Sequence, residues 1–296
     1  MSTILRIVSL VFFGLLSTQS SLASQETARS QSIDSADNAK GSNEAEQKTP
    51  YLKAYEGYRI KPHETALILL HGKWGKPPAP QASAFSAEGF KVISPEMPWA
   101  GVRRYDQTYE DALKEINLLT KRLRADGYKF VIVGGQSFGA NGALAYASAY
   151  GDVDGILLFA PGHNPDIDRN YQPRIVGIAK EAITSGKPDA LISFTDYNDG
   201  GRTRTIETRS DVFVSFFAED GPANMALNAA KMRAVIPPIV FMGSNDFGTR
   251  QGSSYFFDRL PKHNKSKYIV STASHREVPA ASFETALSWI KDLIRQ

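Results

Sequence analysis

The sequence contains no cysteine, and neither sign of charge dominates it. The missing thiols exclude disulfides, a cysteine nucleophile, thiolate metal ligands and lipid attachment through an N-terminal cysteine. Lysine and arginine number 34 against 31 acidic residues, a balance that does not favour binding to nucleic acid or to an anionic membrane surface. The most basic stretch, residues 202–209, contains Glu207 and no aromatic side chain, so we predict a solvated loop there.

Long hydrophobic runs are also absent. The longest apolar segment, residues 7–16, has about ten residues, whereas a membrane-spanning helix needs about 20. Arg6 precedes this segment, and Ser21 and Ala23 supply small side chains before a cleavage point. The arrangement is typical of a secretory signal peptide, with a short membrane anchor as the alternative. We therefore predict that residues 1–23 are a cleaved signal peptide and that the protein is exported, periplasmic or extracellular, without a stable membrane anchor.

The segment that follows has few large apolar side chains. Residues 24–50 are rich in serine, glutamine, asparagine, glutamate and alanine, and such a segment buries too little surface to offset its ordering entropy. We predict a disordered linker there and a folded domain over residues 51–296. That length suits one large domain or one domain with an insertion.

From residue 64 onward, short β-rich runs alternate with longer helical patterns. The β-rich runs predict strands at residues 66–70, 90–94, 130–133, 155–159, 239–242 and 268–270. The helical patterns predict helices at residues 82–88, 108–125, 137–150 and 280–294. This alternation predicts an α/β fold with a doubly wound, mostly parallel sheet that carries helices on both faces. Ligands bind at the carboxyl ends of the strands in such folds, so catalytic residues are expected there.

The alternation breaks over residues 164–235. Helical patterns at residues 175–184 and 222–234 flank a polar stretch, and a strand is predicted at residues 212–217. We interpret this region as a cap-like insertion near the carboxyl edge of the sheet.

A glycine-rich turn joins the third predicted strand to the next helix. Residues 135–139 read Gly-Gln-Ser-Phe-Gly, with Ser137 at the centre. This G-x-S-x-G pattern places a serine hydroxyl on a sharp turn above the sheet, and its glycines avoid a clash with neighbouring backbone. The helix that follows offers free N–H groups to a developing oxyanion. A bystander serine in a structural turn is the alternative interpretation.

A serine nucleophile needs a base, and the chain has five histidines. His275 follows the last predicted strand, so it is expected at the same sheet edge as the serine. His63 and His263 precede strands and belong to the opposite edge, while His163 follows a strand and is a candidate pocket residue. Asp246 follows the penultimate strand and is the candidate to orient the base; an ordinary turn aspartate is the alternative.

The chain order Ser137, Asp246, His275 resembles that of the α/β-hydrolase fold superfamily of serine hydrolases. The His71-Gly72 turn and residues 92–98 strengthen a resemblance that runs from about residue 64 to the C-terminus. The pattern is most similar to exported proteins of the dienelactone-hydrolase-like branch. The resemblance implies hydrolysis of an ester, thioester or amide bond in a small-molecule acyl substrate, through an acyl-enzyme and without a cofactor.

The resemblance also implies an oxyanion hole, and further residues are candidates for the substrate pocket. The backbone N–H groups of Phe138 and Lys73 correspond to the oxyanion hole, and Trp74, Trp99 and His163 are expected in the substrate pocket. Lys73 departs from the small or apolar residue of many relatives, and its charge either lies near the oxyanion or points to solvent. An acyltransferase and a non-catalytic binding module on the same fold are the alternative functions. The histidines lack ligand spacing and no nucleotide-binding motif is present, so no metal or cofactor is predicted.

Overall fold

The computed structural model describes residues 58–168 and 172–295. The predicted signal peptide, the predicted linker and the start of the domain at residue 51 lie outside these residues and stay predictions. Within the described residues, no helix combines the length and the apolar character needed to cross a lipid bilayer.

Strands and helices alternate along the described chain. The strands are β1 (Thr65–Leu70), β2 (Lys91–Ile93), β3 (Phe130–Gln136), β4 (Gly155–Phe159), β5 (Leu191–Asn198), β6 (Arg202–Arg209), β7 (Pro238–Gly243) and β8 (Lys267–Ser271). The α-helices are α1 (Ala79–Ala87), α2 (Tyr109–Ala125), α3 (Phe138–Tyr150), α4 (Pro173–Thr184), α5 (Ser210–Phe217), α6 (Met225–Lys231), α7 (Val278–Ala281) and α8 (Phe283–Leu293). Short 3-10 turns lie at Pro62–Glu64, Asp199–Gly201, Phe247–Gln251, Ser253–Tyr255 and Phe257–Arg259.

The main sheet has the strand order β2-β1-β3-β4-β7-β8, and every neighbouring pair in it is parallel. The predicted doubly wound α/β fold is therefore confirmed, and each strand predicted for this sheet is present with small shifts of its ends. Residues 66–70 of β1 are all apolar, as expected for a strand that is buried on both faces.

Alternate residues of β1 contribute to two separate hydrophobic cores. Ile68 packs in the core that includes Ile116 of α2. Leu69 packs in the core on the other face, which includes Ile290 of α8. Full burial of each such side chain stabilises the fold by about 1.5–3 kcal/mol. The two cores hold the sheet in place, so the carboxyl ends of its strands form one edge where a site can be built.

The cap, residues 164–235 between β4 and β7, consists of α4, the hairpin β5–β6, α5 and α6. The helix predicted at 175–184 is present as α4, and the helix predicted at 222–234 is the shorter α6. β5 and β6 pair antiparallel along their full length. The solvated loop predicted at residues 202–209 is therefore wrong, because this segment is β6. Its alternating pattern turns Ile206 and Thr208 inward and leaves the arginines exposed.

The strand predicted at residues 212–217 is also wrong, because these residues belong to α5. Phe213, Phe216 and Phe217 are buried on this helix. The rings of Phe216 and Phe217 meet the ring of Tyr105 edge-on, with centroids 4.9 Å and 5.3 Å away. An apolar run this short fits a strand or a helix by its periodicity, so tertiary packing decides between them.

Candidate active site

Ser137 lies where β3 ends and α3 begins. Its φ of 54° and ψ of −118° lie outside the regions that residues with a Cβ favour. Strain of this kind costs about 1–3 kcal/mol and persists only where surrounding contacts enforce it. Two backbone hydrogen bonds do so here: Ser137 N–H donates to the carbonyl of Phe159 at 2.9 Å, and Gly162 N–H donates to the carbonyl of Ser137 at 3.2 Å.

The glycines two residues before and two residues after the serine have no room for a side chain. A Cβ on Gly135 would lie 2.6 Å from the carbonyl carbon of Gly139, and a Cβ on Gly139 would collide with the backbone of Leu70. Backbone atoms cannot move aside as the end of a side chain can. The G-x-S-x-G spacing is therefore a steric requirement of the turn between β3 and α3.

Asp246 and His275 come from the loops that follow the neighbouring strands β7 and β8. Nδ1 of His275 lies 2.6 Å from Oδ2 of Asp246. An ionised carboxylate only accepts, so Nδ1 carries the proton and Nε2 is left as an acceptor, the form that can act as a base. The side chain of Gln136 donates to the carbonyl of His275 at 3.0 Å, which ties the histidine loop to the end of β3.

Ser137, Asp246 and His275 border one cavity of about 360 Å³. The position of Gly162 shows how near the serine and the histidine are. A Cβ on this glycine would lie 3.0 Å from Oγ of Ser137 and 3.8 Å from Cε1 of His275. The hydroxyl and the imidazole therefore face the same small space, which Gly162 leaves open. The structure thus brings the three residues together at the carboxyl edge of the sheet.

The turn after β1 and the start of α3 form the wall beside the serine. A Cβ on Gly72 would lie 3.3 Å from Cβ of Ser137, so this turn passes directly next to it. Phe138 is the first residue of α3, where N–H groups have no partner within the helix and lie at the positive end of its dipole. Phe138 and Lys73, the two residues predicted for the oxyanion hole, both border the cavity.

The ammonium group of Lys73 is bound to the cap. Its Nζ donates to Oδ1 of Asp196 at 2.8 Å and to the carbonyl of Tyr197 at 2.9 Å. Only 8% of the Lys73 side chain is exposed. The orientation toward solvent is therefore wrong, and a buried carboxylate on β5 balances the charge of the lysine.

Asp196 is the central contact between the cap and the turn after β1, and the sequence interpretation missed it. Its Oδ2 accepts hydrogen bonds from the indole N–H of Trp74 at 2.7 Å and from the hydroxyl of Tyr105 at 2.6 Å. Asn198, also on β5, donates to the carbonyl of Lys73 at 3.0 Å. The hairpin thereby fixes both the backbone and the side chains of the turn beside the serine. A charged residue at an inward position of an alternating strand is the signal that could have found it.

The two tryptophans predicted to contact the substrate both make polar and ring contacts within the protein. The indole N–H of Trp74 is bound to the buried carboxylate on β5, and the guanidinium of Arg204 covers its ring at 4.7 Å. Trp99 is fully buried; its N–H donates to the carbonyl of His71 at 2.7 Å, and its ring stacks on Phe138. Neither tryptophan borders the cavity. The complete burial of Trp99 contradicts its predicted substrate contact, whereas the contact predicted for the half-buried Trp74 stays a prediction.

The side chain of His71 stabilises the turn after β1 through two hydrogen bonds to backbone groups. Nδ1–H donates to the carbonyl of Gly72 at 2.8 Å, and Nε2 accepts from the N–H of Met97 at 2.9 Å. One neutral tautomer satisfies both contacts. Burial lowers the pKa of His71, which agrees with a neutral ring.

His163, predicted as a pocket residue, borders the cavity. Its backbone has a φ of 65°, and its ring stacks on Phe138 with centroids 3.7 Å apart. Nε2–H donates to the carbonyl of Phe216 at 2.7 Å. Burial, and then the nearby charge of Lys73, lower the pKa of His163 well below its usual value, so the ring is neutral.

Throughout residues 58–168 and 172–295, no group of three or more histidine, aspartate or glutamate side chains is placed to hold a metal ion.

No protein-family model and no curated protein sequence matches this chain. Solved structures do match it. A monoacylglycerol lipase from Paleococcus ferrophilus is similar with a TM-score of 0.57 and 17% identity, over 79% of this chain and 96% of that one. A soluble variant of monoglyceride lipase from Saccharomyces cerevisiae gives a TM-score of 0.55 and 16% identity, over 80% and 90%. One of the metagenome-derived lipolytic enzymes LipS and LipT gives a TM-score of 0.55 and 14% identity, over 79% and 96%.

Identities this low show the fold alone. The more specific resemblance to dienelactone-hydrolase-like proteins stays a prediction. With its parallel six-stranded sheet, helices on both faces and a serine on the sharp turn after β3, the chain has the α/β-hydrolase fold.

Proposed function

We propose that the protein is a serine hydrolase that cleaves an ester bond. The observation that supports this most directly is the 2.6 Å contact between His275 and Asp246 at the wall of the cavity that Ser137 also borders. That contact leaves Nε2 of His275 as a base near a hydroxyl on a strained turn. Structural neighbours that are lipases or lipolytic enzymes support an ester as the bond that is cleaved.

In the proposed mechanism, Nε2 of His275 accepts the hydroxyl proton of Ser137 as Oγ bonds to the carbonyl carbon. The electron pair of the carbonyl moves onto oxygen, where the backbone N–H groups of Phe138 and Lys73 stabilise it. The bond to the leaving alcohol then breaks, and the histidine donates its proton to the alcohol. Water attacks the acyl-enzyme by the same sequence, which releases the acid and restores the serine. Asp246 stabilises the imidazolium in both halves.

The strain at Ser137 favours an enzyme over a binding module. Ligand binding alone does not require a serine with a φ of 54°, and an unstrained turn at this position would give a more stable fold. Acyl transfer shares the acyl-enzyme with hydrolysis. Product analysis with and without an added alcohol separates the two, and hydrolysis predicts free acid as the main product in both.

We also propose that the protein is exported, on the basis of the signal-peptide pattern in residues 1–23. N-terminal sequencing of the protein recovered from the periplasm or medium tests this, with cleavage after Ala23 expected. Recovery of the chain in the membrane fraction with an intact N-terminus would favour the membrane anchor.

The decisive experiment for the activity is labelling with a fluorophosphonate probe, which reacts with activated serines. The wild type should be labelled and Ser137→Ala should not. His275→Ala should be labelled far more slowly, since the base is missing. Ser86→Ala is the matched control, because Ser86 is exposed on α1 and should leave labelling unchanged. Circular dichroism checks that each variant is folded; equal labelling of Ser137→Ala and wild type would reject the proposal.

A further inference from the structure

The turn after β1 contains a tryptophan in a backbone conformation that suits glycine. The N–H of Gly75 donates to the carbonyl of Gly72 at 3.0 Å, which closes a β-turn with Lys73 and Trp74 at its centre. Trp74 has a φ of 56°, while the φ of Lys73 is negative. This combination is typical of a type II turn, whose third residue is usually glycine or asparagine. The turn is therefore strained, and contacts from outside it are needed to hold its shape.

The same turn directs the backbone N–H of Lys73. The carbonyl of Gly72 and the N–H of Lys73 belong to one planar trans peptide unit, so they point in opposite directions. The carbonyl is held by the N–H of Gly75 at 3.0 Å and by Nδ1–H of His71 at 2.8 Å. A Cβ on Gly72 would lie 3.9 Å from Oγ of Ser137. A change in the shape of the turn therefore moves the N–H of Lys73 relative to the reacting atoms.

The next peptide unit, between Lys73 and Trp74, is held at both ends. The N–H of Trp74 donates to the carbonyl of Trp99 at 2.9 Å. The carbonyl of Lys73 accepts a hydrogen bond from the side-chain amide of Asn198 at 3.0 Å. A type I turn, which suits a tryptophan better, differs from type II mainly by a rotation of this central peptide unit. The two hydrogen bonds therefore oppose relaxation of the turn.

The cap hairpin contacts both central residues of the turn. Asp196 accepts hydrogen bonds from Nζ of Lys73 at 2.8 Å and from the indole N–H of Trp74 at 2.7 Å. Asn198 follows two positions later on β5, so it lies on the same face of the hairpin. One residue of this face thus holds the two side chains, and the other holds the backbone between them.

We propose that the cap hairpin keeps the turn after β1 in its active shape, with Asp196 and Asn198 as positioning residues that act through the backbone N–H of Lys73. The inference rests on the proposed function, because that N–H stabilises the oxyanion formed in the proposed reaction. It gives the cap a role in the chemical step, apart from any role in the choice of substrate.

The test replaces Asn198 with leucine, which has a similar size and no N–H to donate. kcat and KM are measured for p-nitrophenyl acetate and p-nitrophenyl butyrate. Asn228→Leu is the matched control on α6, because Nδ2 of Asn228 donates to the carbonyl of Pro222 at 2.8 Å. The control removes the same kind of hydrogen bond, from a half-buried asparagine to a backbone carbonyl, elsewhere in the cap.

Removal of an oxyanion donor typically lowers kcat by about 10²–10³-fold, and displacement of one should cost less. We expect Asn198→Leu to lose about tenfold in kcat on both esters while KM stays the same, as for an interaction made only in the transition state. Asn228→Leu should keep the wild-type kcat. Urea unfolding should show similar losses of stability in the two variants, so that reduced stability does not explain the difference.

Two results would overturn the inference. One is a wild-type kcat in Asn198→Leu. The other is an increased KM with kcat unchanged, which would mean that Asn198 only binds the substrate. Asn198→Asp is a second variant of nearly the same shape; its ionised side chain cannot donate to the carbonyl of Lys73, so it should lose kcat as well.

Trp74→Gly tests the part played by strain. Glycine accepts a positive φ without a steric cost, so the turn then needs less support from the cap. Asn198→Leu should therefore lower kcat less in the Trp74→Gly background than in the wild-type background. Equal losses in the two backgrounds would overturn the inference, because a purely structural hydrogen bond would not depend on the residue at position 74.

Fluorophosphonate labelling separates failure of this inference from failure of the proposed function. A labelled wild type, together with an unchanged kcat in Asn198→Leu, rejects the positioning role and leaves the proposed hydrolase standing. A folded wild type that is neither labelled nor active on either ester rejects the proposed hydrolase, and this inference with it.

Discussion

Replacing Asp196 with alanine removes a carboxylate that is 2% exposed and accepts hydrogen bonds from Lys73, Trp74 and Tyr105. The ammonium of Lys73 then stays buried without its balancing charge. Loss of one partner of a buried ion pair destabilises a protein by about 3–5 kcal/mol. The two neutral donors add about 1 kcal/mol each if water does not replace the carboxylate. We therefore expect Asp196→Ala to lose at least about 3 kcal/mol of unfolding free energy.

Urea unfolding followed by tryptophan fluorescence measures this loss, provided that the slope of free energy against urea is unchanged. Asp220→Ala is the matched control, because the Lys180–Asp220 pair has side chains that are 44% and 68% exposed. Exposed pairs of this kind contribute about 0–1 kcal/mol. Adding Lys73→Met to Asp196→Ala should recover part of the loss, since the unbalanced charge is then removed. An Asp196→Ala variant that loses no more unfolding free energy than Asp220→Ala would show that the buried ion pair does not stabilise the fold. A double variant less stable than Asp196→Ala would show the same.

Three further predictions concern the cavity. Gly162→Ala places a Cβ 3.0 Å from the serine Oγ and should lower kcat/KM by about 10²-fold. Gly177→Ala, in open space on α4, should leave activity unchanged and stabilise the fold by about 0.5–1 kcal/mol. Gln136→Met removes the hydrogen bond to the carbonyl of His275 and should slow fluorophosphonate labelling severalfold without unfolding the protein. The pKa of His163 is depressed in the folded state, so the unfolded chain binds the extra proton below about pH 6.5. Unfolding free energy should therefore fall as pH drops below that value, and His163→Asn should flatten the decline.

Each of these predictions has a result that contradicts it. Unchanged activity in Gly162→Ala would mean that the space above the serine is not used by the substrate. A Gln136→Met variant that is labelled as fast as the wild type would show that the hydrogen bond from β3 is not needed to position the loop of His275. An unfolding free energy that falls with acid equally in wild type and His163→Asn would assign the decline to other groups. His163→Asn is the suitable variant because asparagine tolerates the positive φ at this position.

The strands of the main sheet and the turn at Ser137 could be predicted because their signals are local. β1 and β4 are buried on both faces, which demands a continuous apolar run. The glycines at 135 and 139 are demanded by backbone that lies next to them in the turn or in β1. Asp246 and His275 could be located because parallel strands end at one edge, so the chain order alone places their loops together.

The cap could not be predicted in the same way, because its structure depends on partners far away in the chain. The inward-facing side chains of β5 include Asp196, which breaks the apolar alternation that identifies a strand. Its charge is tolerated only because Lys73, 123 residues earlier, balances it. The aromatic residues of α5 likewise form a helix that packs on Tyr105. Tyr105 lies more than 100 residues earlier in the chain, so the local sequence does not reveal this contact. The burial of Trp99 could not be predicted from the local sequence either, since an indole near the end of a strand fits a hydrophobic core as well as a ligand pocket.

β4 and β7 are neighbours in the main sheet, and the cap is the connection between them. These strands are parallel hydrogen-bonded partners, so the chain between them leaves the sheet at the carboxyl end of β4 and re-enters it at the amino end of β7, only one strand length away. The entropic free-energy cost of closing such a connection rises by only about 0.6 kcal/mol for each doubling of its length. A cap of another length or architecture can therefore be inserted here with little effect on the stability of the sheet. Lys73 is the exception: it belongs to the sheet's own turn but depends on a cap carboxylate, so a replacement cap has to bring an acid to the same place or accompany the loss of the lysine.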